Sequence, residues 1–320
     1  MKFLQLVALF GTALAMAVPP DLSPRQTLCT APRQRKSWSQ ATDTEKQAYI
    51  DAVLCLHNTP SKLNLWNHQR LSEDFTYVHA HLTFPADNID KIHGYSNFLP
   101  WHRYFVHMYE KALQDECGYA GMAMYWDWLE DYADLAHSSV FDPVLGFGGN
   151  GVLIENENAG MARVMDGPFN DTLLTYIGTT ISSHFLSRNW RLDRDMFANA
   201  LSPEEMEWTW NKTTHDDFRA QLENNPHAAI HQGVGGPKGD LGDGGSSPND
   251  PLFFLHHTQV DRIWWIWQQS VGFRWHEYNG NGLDGNPVSL NDPLPMLGLA
   301  PDGVVGDYIY TMGGKLCYGY

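Results

Sequence analysis

Positive charge is scarce in this chain: 21 lysines and arginines stand against 37 aspartates and glutamates, a formal net charge of −16 over 320 residues. So acidic a polymer excludes nucleic acid and anionic membrane as main partners. The one basic stretch, Arg33-Gln34-Arg35-Lys36, is too short to reverse that. Beyond the N-terminus no apolar run is long enough to span a bilayer, so no membrane partner is expected. Internal repeats and low-complexity tracts are also missing. Cysteine is sparse, with only Cys29, Cys55, Cys117 and Cys317. Four cysteines allow three pairings; Cys29–Cys317, tying the ends, and Cys55–Cys117, tying two helices, are preferred, although the sequence alone does not fix them.

What the chain does have is a 43% hydrophobic composition with 12 tryptophans and 14 tyrosines, enough for a sizeable core around a buried site. Lys2, the apolar run Phe3 to Val18 and small residues before Pro19-Pro20 read as a signal peptide over 1–18. A secreted, extracellular protein is therefore expected, a setting that suits disulfides. Asn170-Asp171-Thr172 and Asn211-Lys212-Thr213 are glycan acceptor sequences, expected on surface loops.

Thr42-Asp43-Thr44-Glu45 is a capping box that opens a helix from Glu45 to His57. Helical spacing continues over Ser72–Leu82, and Pro100 suits the first turn of a third helix running to Glu116. A second capping box is expected at Ser202-Pro203-Glu204-Glu205. A helix over Asp216–Asn224 leads into a turn at His227–His231, and the seven glycines between Gly233 and Pro248 read as loop. Asp250-Pro251 opens a long aromatic helix to Gln269, and the tail holds strand-like pieces such as Tyr308–Thr311. The expected fold is mainly α, a four-helix bundle core with long irregular loops and a few short strands, and 19–320 is expected to form one domain.

Histidines carry the chemistry. His93 precedes Gly94 in a loop, His102 follows Pro100, His227 and His231 lie one helical turn apart, and His257 sits among Phe253, Phe254 and Leu255. An unpartnered imidazole is costly to bury in such surroundings, and imidazole is the commonest metal ligand near neutral pH. With His79, six histidines form two groups of three, a pattern suited to two facing metal ions across a bundle. Taken singly, His68, His137, His184, His215 and His276 read as core or surface histidines, and His107 as buried or capping.

The segment His93–Arg103, with Tyr104 and Glu110 after it, resembles the first copper signature of the tyrosinase/catechol oxidase family. Asp250–Asp261, with Arg262 and Trp264, resembles the second, and Tyr318-Gly319-Tyr320 resembles the tyrosine motif closing the family's core domain. The likeness is to short secreted fungal members and implies no C-terminal shielding domain. It implies two copper ions, CuA on His79, His93 and His102 and CuB on His227, His231 and His257, with O2 and small phenolic substrates as partners. His81 is the alternative to His79, and His256 the alternative to His257. Asp261 is expected to orient a ligating histidine or to form an ordinary pair with Arg262 or a neighbour; Glu110 and Arg103 are expected to pair and brace His102; Asn97 and Trp101 are expected to pack the loop.

Departures from the family pattern bear on substrate. Lys91 stands where many relatives carry a cysteine cross-linked to the second CuA ligand, so no thioether is expected. Gly244 stands where plant enzymes place a bulky gate, which implies an open mouth. Ala228 and Gln232 follow the first two CuB ligands, and alanine cannot hold a water there. The resemblance therefore points to oxidation of o-diphenols to o-quinones, with o-aminophenols or some monophenols as further substrates. The alternatives are a tyrosinase with substantial monophenol hydroxylation and a hemocyanin-like oxygen-binding domain. A dinuclear zinc or iron hydrolase would need bridging carboxylates, which the six positions lack.

Overall fold

The computed structural model describes residues 29–66, 68–156, 160–192, 199–270 and 274–320. The expected signal peptide lies outside them. The chain enters through β1 (Arg33–Gln34), then α1 (Asp43–Leu56), α2 (Leu71–Thr83) and α3 (Phe98–Cys117). Thr42 and Glu45 exchange the two bonds of the expected capping box, at 2.9 and 3.3 Å. Helix α3 stops at Gly118, whose φ of +67° is left-handed and free of strain only for glycine. Cys55–Cys117 staples α1 to the end of α3, and Cys29–Cys317 ties the two chain ends, so both preferred pairings are present.

The middle of the chain is irregular, with short antiparallel pairs β2 (Gly151–Val152) with β3 (Arg163–Val164) and β4 (Leu173–Ile177) with β5 (Thr180–Phe185). Helix α4 (Pro203–Trp210) starts with Ser202 accepting from the Glu205 amide at 3.2 Å. The expected second capping box is only half made, because the Glu205 carboxylate instead accepts from Gln221 of the next helix. That helix, α5 (His215–Leu222), does not end where expected. It continues through wide turns at Glu223–His227 and His231–Gly235, three residues into the expected loop. Pro226 has no amide hydrogen and crowds the preceding turn, and a wide i→i+5 turn relieves both problems.

Helix α6 (Leu252–Ser270) crosses the core, followed by β6 (Pro293–Leu294) paired with β7 (Gly303–Val304), α7 (Val305–Tyr308), and β8 (Tyr318–Gly319), which pairs in parallel with β1. The expected strand at Tyr308–Thr311 is thus corrected: Tyr308 closes a helical turn, and strand pairing lies upstream at Gly303–Val304. The fold is mainly α with few, short strands, as expected.

An aromatic stack locks three of the helices together. Tyr109 of α3 lies flat on Phe254 of α6 with centroids 3.4 Å apart, and Phe75 of α2 meets both edge-on at 5.2 and 5.9 Å. All three rings are buried, and each contributes roughly 1.5–3 kcal/mol by leaving water. The stack fixes the helix faces that carry His79, His102 and His257. Trp101 and Asn97 pack the loop as expected, donating to the Pro295 and Lys91 carbonyls at 2.9 and 2.7 Å. Of the acceptor asparagines, Asn211 is exposed just beyond α4, while Asn170 is half-buried and donates to the Met165 carbonyl.

Candidate metal centre

The structure gathers the six expected histidines from four helices and one loop. His79 comes from α2, His93 from the loop before α3, His102 from the first turns of α3, His227 and His231 from the extension of α5, and His257 from α6. Potential donor atoms of His79, His93 and His102 lie within 4.8 Å of one another, and so do those of His227, His231, His256 and His257. The two groups face each other: the His102 and His257 rings are stacked at 4.4 Å. His81 is in neither group; its Nδ1 donates back to the Tyr77 carbonyl at 2.9 Å.

Five of the six imidazoles are aimed by what their Nδ1 binds, while the Nδ1 of His257 is buried without a partner. His79 donates to the Gly245 carbonyl at 2.7 Å and His102 to Phe98 at 2.8 Å. His227 donates to the Glu223 carbonyl at 2.9 Å and His231 to Leu241 at 2.7 Å. His93 alone uses a side chain, Asp90, at 3.0 Å. With the proton on Nδ1, the Nε2 of each of these five is a bare acceptor. The Nε2 atoms of His79, His102 and His227 are buried without a hydrogen-bond partner, an arrangement that costs about 1–3 kcal/mol each unless a cation satisfies it. The Nε2 atoms of His231 and His257 stand 3.2 Å apart, a separation that one metal bonding both at about 2 Å would impose. The donor set is nitrogen throughout, which fits copper and disfavours magnesium or calcium.

The choice between His256 and His257 follows from position. His257 lies between the groups, against both His102 and Phe253, whereas His256 stacks on His227 at 5.3 Å and faces Trp128, with no ring contact to His79, His93 or His102 among the described residues. Burial, reinforced by neighbouring imidazoles, pushes the pKa of His79, His102, His227 and His257 well below the usual histidine range, and that of His231 to about 4. These rings are held neutral, the form that binds metal.

The same burial predicts acid lability. His57, His107 and His215, which lie outside both groups, are likewise lowered to about 4, burial being the main cause in each. A histidine whose folded pKa is depressed takes up its proton first in the unfolded chain. Stability is therefore complete above about pH 6.5 and lost progressively as pH falls toward 4. Metal-free protein should show a large drop in Tm between pH 7 and pH 4.5 by circular dichroism; an unchanged Tm would contradict the buried neutral state.

Two expectations about neighbouring residues are corrected. Asp261 orients no histidine, and its ion pairs are with arginines other than Arg262. Its carboxylate accepts from Arg103, from Arg35 at 3.2 Å, and from the Tyr318 and Tyr320 hydroxyls at 2.6 and 2.5 Å; Arg262 pairs with Asp127 instead. Glu110 does not pair with Arg103 but with Arg35 at 2.7 Å, while also accepting from the Ala123 amide. Seven helical residues separate Arg103 from Glu110, a rise of about 10 Å, so Arg103 reaches across to α6 instead.

Ala228, Gln232 and Gly244 line one cleft of about 340 Å³ together with His93, His227, His231, Thr83, Phe84 and Asp90. The mouth expected to be open at Gly244 is bounded by Phe84, whose Cζ stands 3.6 Å from where a Gly244 Cβ would be. Phe84, Asp90 and Glu223 were not singled out by the sequence. Asp90, three residues before His93, was findable as a local carboxylate–histidine pair. Glu223 holds the Gly94 amide at 2.7 Å, tying the His93 loop to the helix of His227. Three of the singly read histidines have ordinary partners: His68 lies between Asp74 and Tyr176, at 2.5 and 2.7 Å, His184 binds Asp240 at 2.8 Å, and His137 binds Asp134 at 2.8 Å.

A helical core presenting two facing, all-imidazole metal groups defines a dinuclear copper protein. Residues 69–270 match the family model described as the common central domain of tyrosinase. The chain is 36% identical over 323 residues to tyrosinase ustQ of Aspergillus flavus, covering 98% of this chain and 84% of that one. It is 28% identical over 341 residues to the N-acetyl-6-hydroxytryptophan oxidase ivoB of Emericella nidulans, covering 89% and 91%. A polyphenol oxidase variant from Thermothelomyces thermophila superposes with a TM-score of 0.76 at 27% identity, covering 91% and 90%. The chain belongs to the tyrosinase family, and its cofactors are two copper ions.

Proposed function

We propose that this tyrosinase-family oxidase converts o-diphenols to o-quinones, with His79, His93 and His102 holding one copper and His227, His231 and His257 the other. The observation that carries this reading is the cleft beside His93, His227 and His231, where Ala228 offers no polar atom. Deprotonating a monophenol calls for a held water or base, and alanine supplies neither; an o-diphenol, more easily oxidised, depends less on such help. Two bound coppers supply two-electron chemistry with O2, and turnover balances as two o-diphenols and one O2 giving two o-quinones and two waters. The protein's part is to fix the ligands through Nδ1, exclude bulk water and admit a planar ring edge-first. The two disulfides and the N-terminal apolar run support a secreted protein.

The test is oxidation of 4-tert-butylcatechol in air by copper-loaded protein, with and without a copper chelator. A substrate panel of phenol, guaiacol, o-aminophenol, catechol and, given the hydroxytryptophan-oxidising relative, a hydroxyindole then follows. Catechol turnover at least about tenfold above phenol hydroxylation, abolished by chelation, is the expected result. Comparable phenol hydroxylation would overturn the diphenol preference, and turnover insensitive to chelation or absent altogether would sink the reading.

A further inference from the structure

Helix α2 delivers His79 to the site and ends four residues later at Thr83. The next residue, Phe84, leaves the helix with φ −121° and ψ 62° and is half-exposed. The ring lies on a bed of three glycines from two loops. A Cβ on Gly244 would stand 3.6 Å from its Cζ, one on Gly178 4.0 Å from Cε2, and one on Gly245 only 2.7–2.8 Å from Cε2 and Cδ2. No side chain from either loop can occupy that place while the ring does. The Gly245 carbonyl beneath it accepts from His79, so the ring is seated on the same peptide that aims a copper ligand. Phe84 also lines the cleft that holds His93, His227 and His231. What sets Phe84 apart from other exposed apolar side chains is its place: its ring lines a ligand-sized cleft beside three candidate metal ligands.

We infer that Phe84 is the specificity-determining residue of this cleft. Supplied by the CuA helix, its ring takes the place left empty at Gly244 and packs against an apolar substituent on the ring of the phenol. The inference rests on the reading of this cleft as the phenol site. It assigns the enzyme to ring substrates carrying an alkyl or aryl group away from their hydroxyls. A substrate entering hydroxyls first toward the histidines leaves its substituent at the rim, where the Phe84 face can cover it. Each partner then removes apolar surface of the other from water.

Equilibrium binding separates this contact from turnover. Benzoate and 4-tert-butylbenzoate, ring anions that are not oxidised, are titrated calorimetrically into copper-loaded wild-type protein, Phe84→Ala and Phe84→Leu. Wild type should bind the tert-butyl compound about tenfold more tightly than benzoate. Phe84→Ala should reduce that ratio to about two or less with benzoate affinity and copper content unchanged, and Phe84→Leu should restore most of it. No tert-butyl preference in wild type, or one retained in Phe84→Ala, overturns the inference. So does a parallel loss of both affinities or of copper, which would make the ring a scaffold for His79 only. Protein that shows the preference but does not oxidise catechol would overturn the proposed function and leave this contact standing.

Discussion

His257→Ala is expected to leave the protein with about one copper per chain instead of two and to lower oxidase activity by roughly three orders of magnitude. His256→Ala should keep both coppers and most of the activity. The adjacent pair is equally buried, so burial does not separate them; placement does. His257 occupies the seam between the two groups, stacked on His102 with its Nε2 3.2 Å from that of His231. His256 instead packs against His227 and Trp128. Removing His257 takes away the donor at the seam beside His231, and His256, the imidazole that remains near His227 and His231, is stacked on His227 rather than on His102. Copper quantification on purified variants, read beside activity, is the measurement. Full copper in His257→Ala with loss in His256→Ala would transfer the ligand role to the neighbour.

Asp261→Asn should destabilise the fold by about 3–5 kcal/mol. The carboxylate is buried and answers two guanidinium groups and two phenols, while the only other buried anion in the cluster, Glu110, is engaged by Arg35. Removing one negative charge leaves Arg103 and Arg35 with a single carboxylate between them in a dry environment. Burial alone would raise the pKa of Asp261, but Arg103 and Arg35 outweigh it and hold the group below the usual carboxylate range. Its contribution is therefore present above the unfolded carboxylate pKa and lost as pH falls through the folded value. Urea unfolding of wild type and variant gives the comparison. A change under about 1 kcal/mol would mean that the cluster relaxes around an amide.

The legible parts of this chain were those written locally or in a dense motif. The His93–Arg103 and Asp250–Asp261 segments each combine histidine, proline and aromatics within a few residues, and the structure brings their histidines together. Helix ends fell within two residues for α1, α2 and α3, because caps and apolar periodicity are local signals. The extension of α5 was hidden by Pro226 and by glycines that usually break helices, since a wide turn that tolerates a proline has no short signature. The exchange of Arg35 for Arg103 as the partner of Glu110 was hidden for another reason. It joins positions 75 residues apart, and a pairing at that distance leaves no periodicity to read. Phe84 escaped because one aromatic at a helix end resembles any other until the glycine bed beneath it is seen.

Of the six clustered histidines, five have an Nδ1 partner, and four of those take it from main-chain oxygen. No point substitution deletes a peptide carbonyl, so the aim of those ligands is insulated from drift in the side chains around them. A lineage can therefore rewrite the rim of the cleft, changing what is oxidised, without renegotiating how the metals are held. The exception is His93, whose aim depends on the carboxylate of Asp90. Of the five, it is the imidazole whose orientation a single coding change can undo.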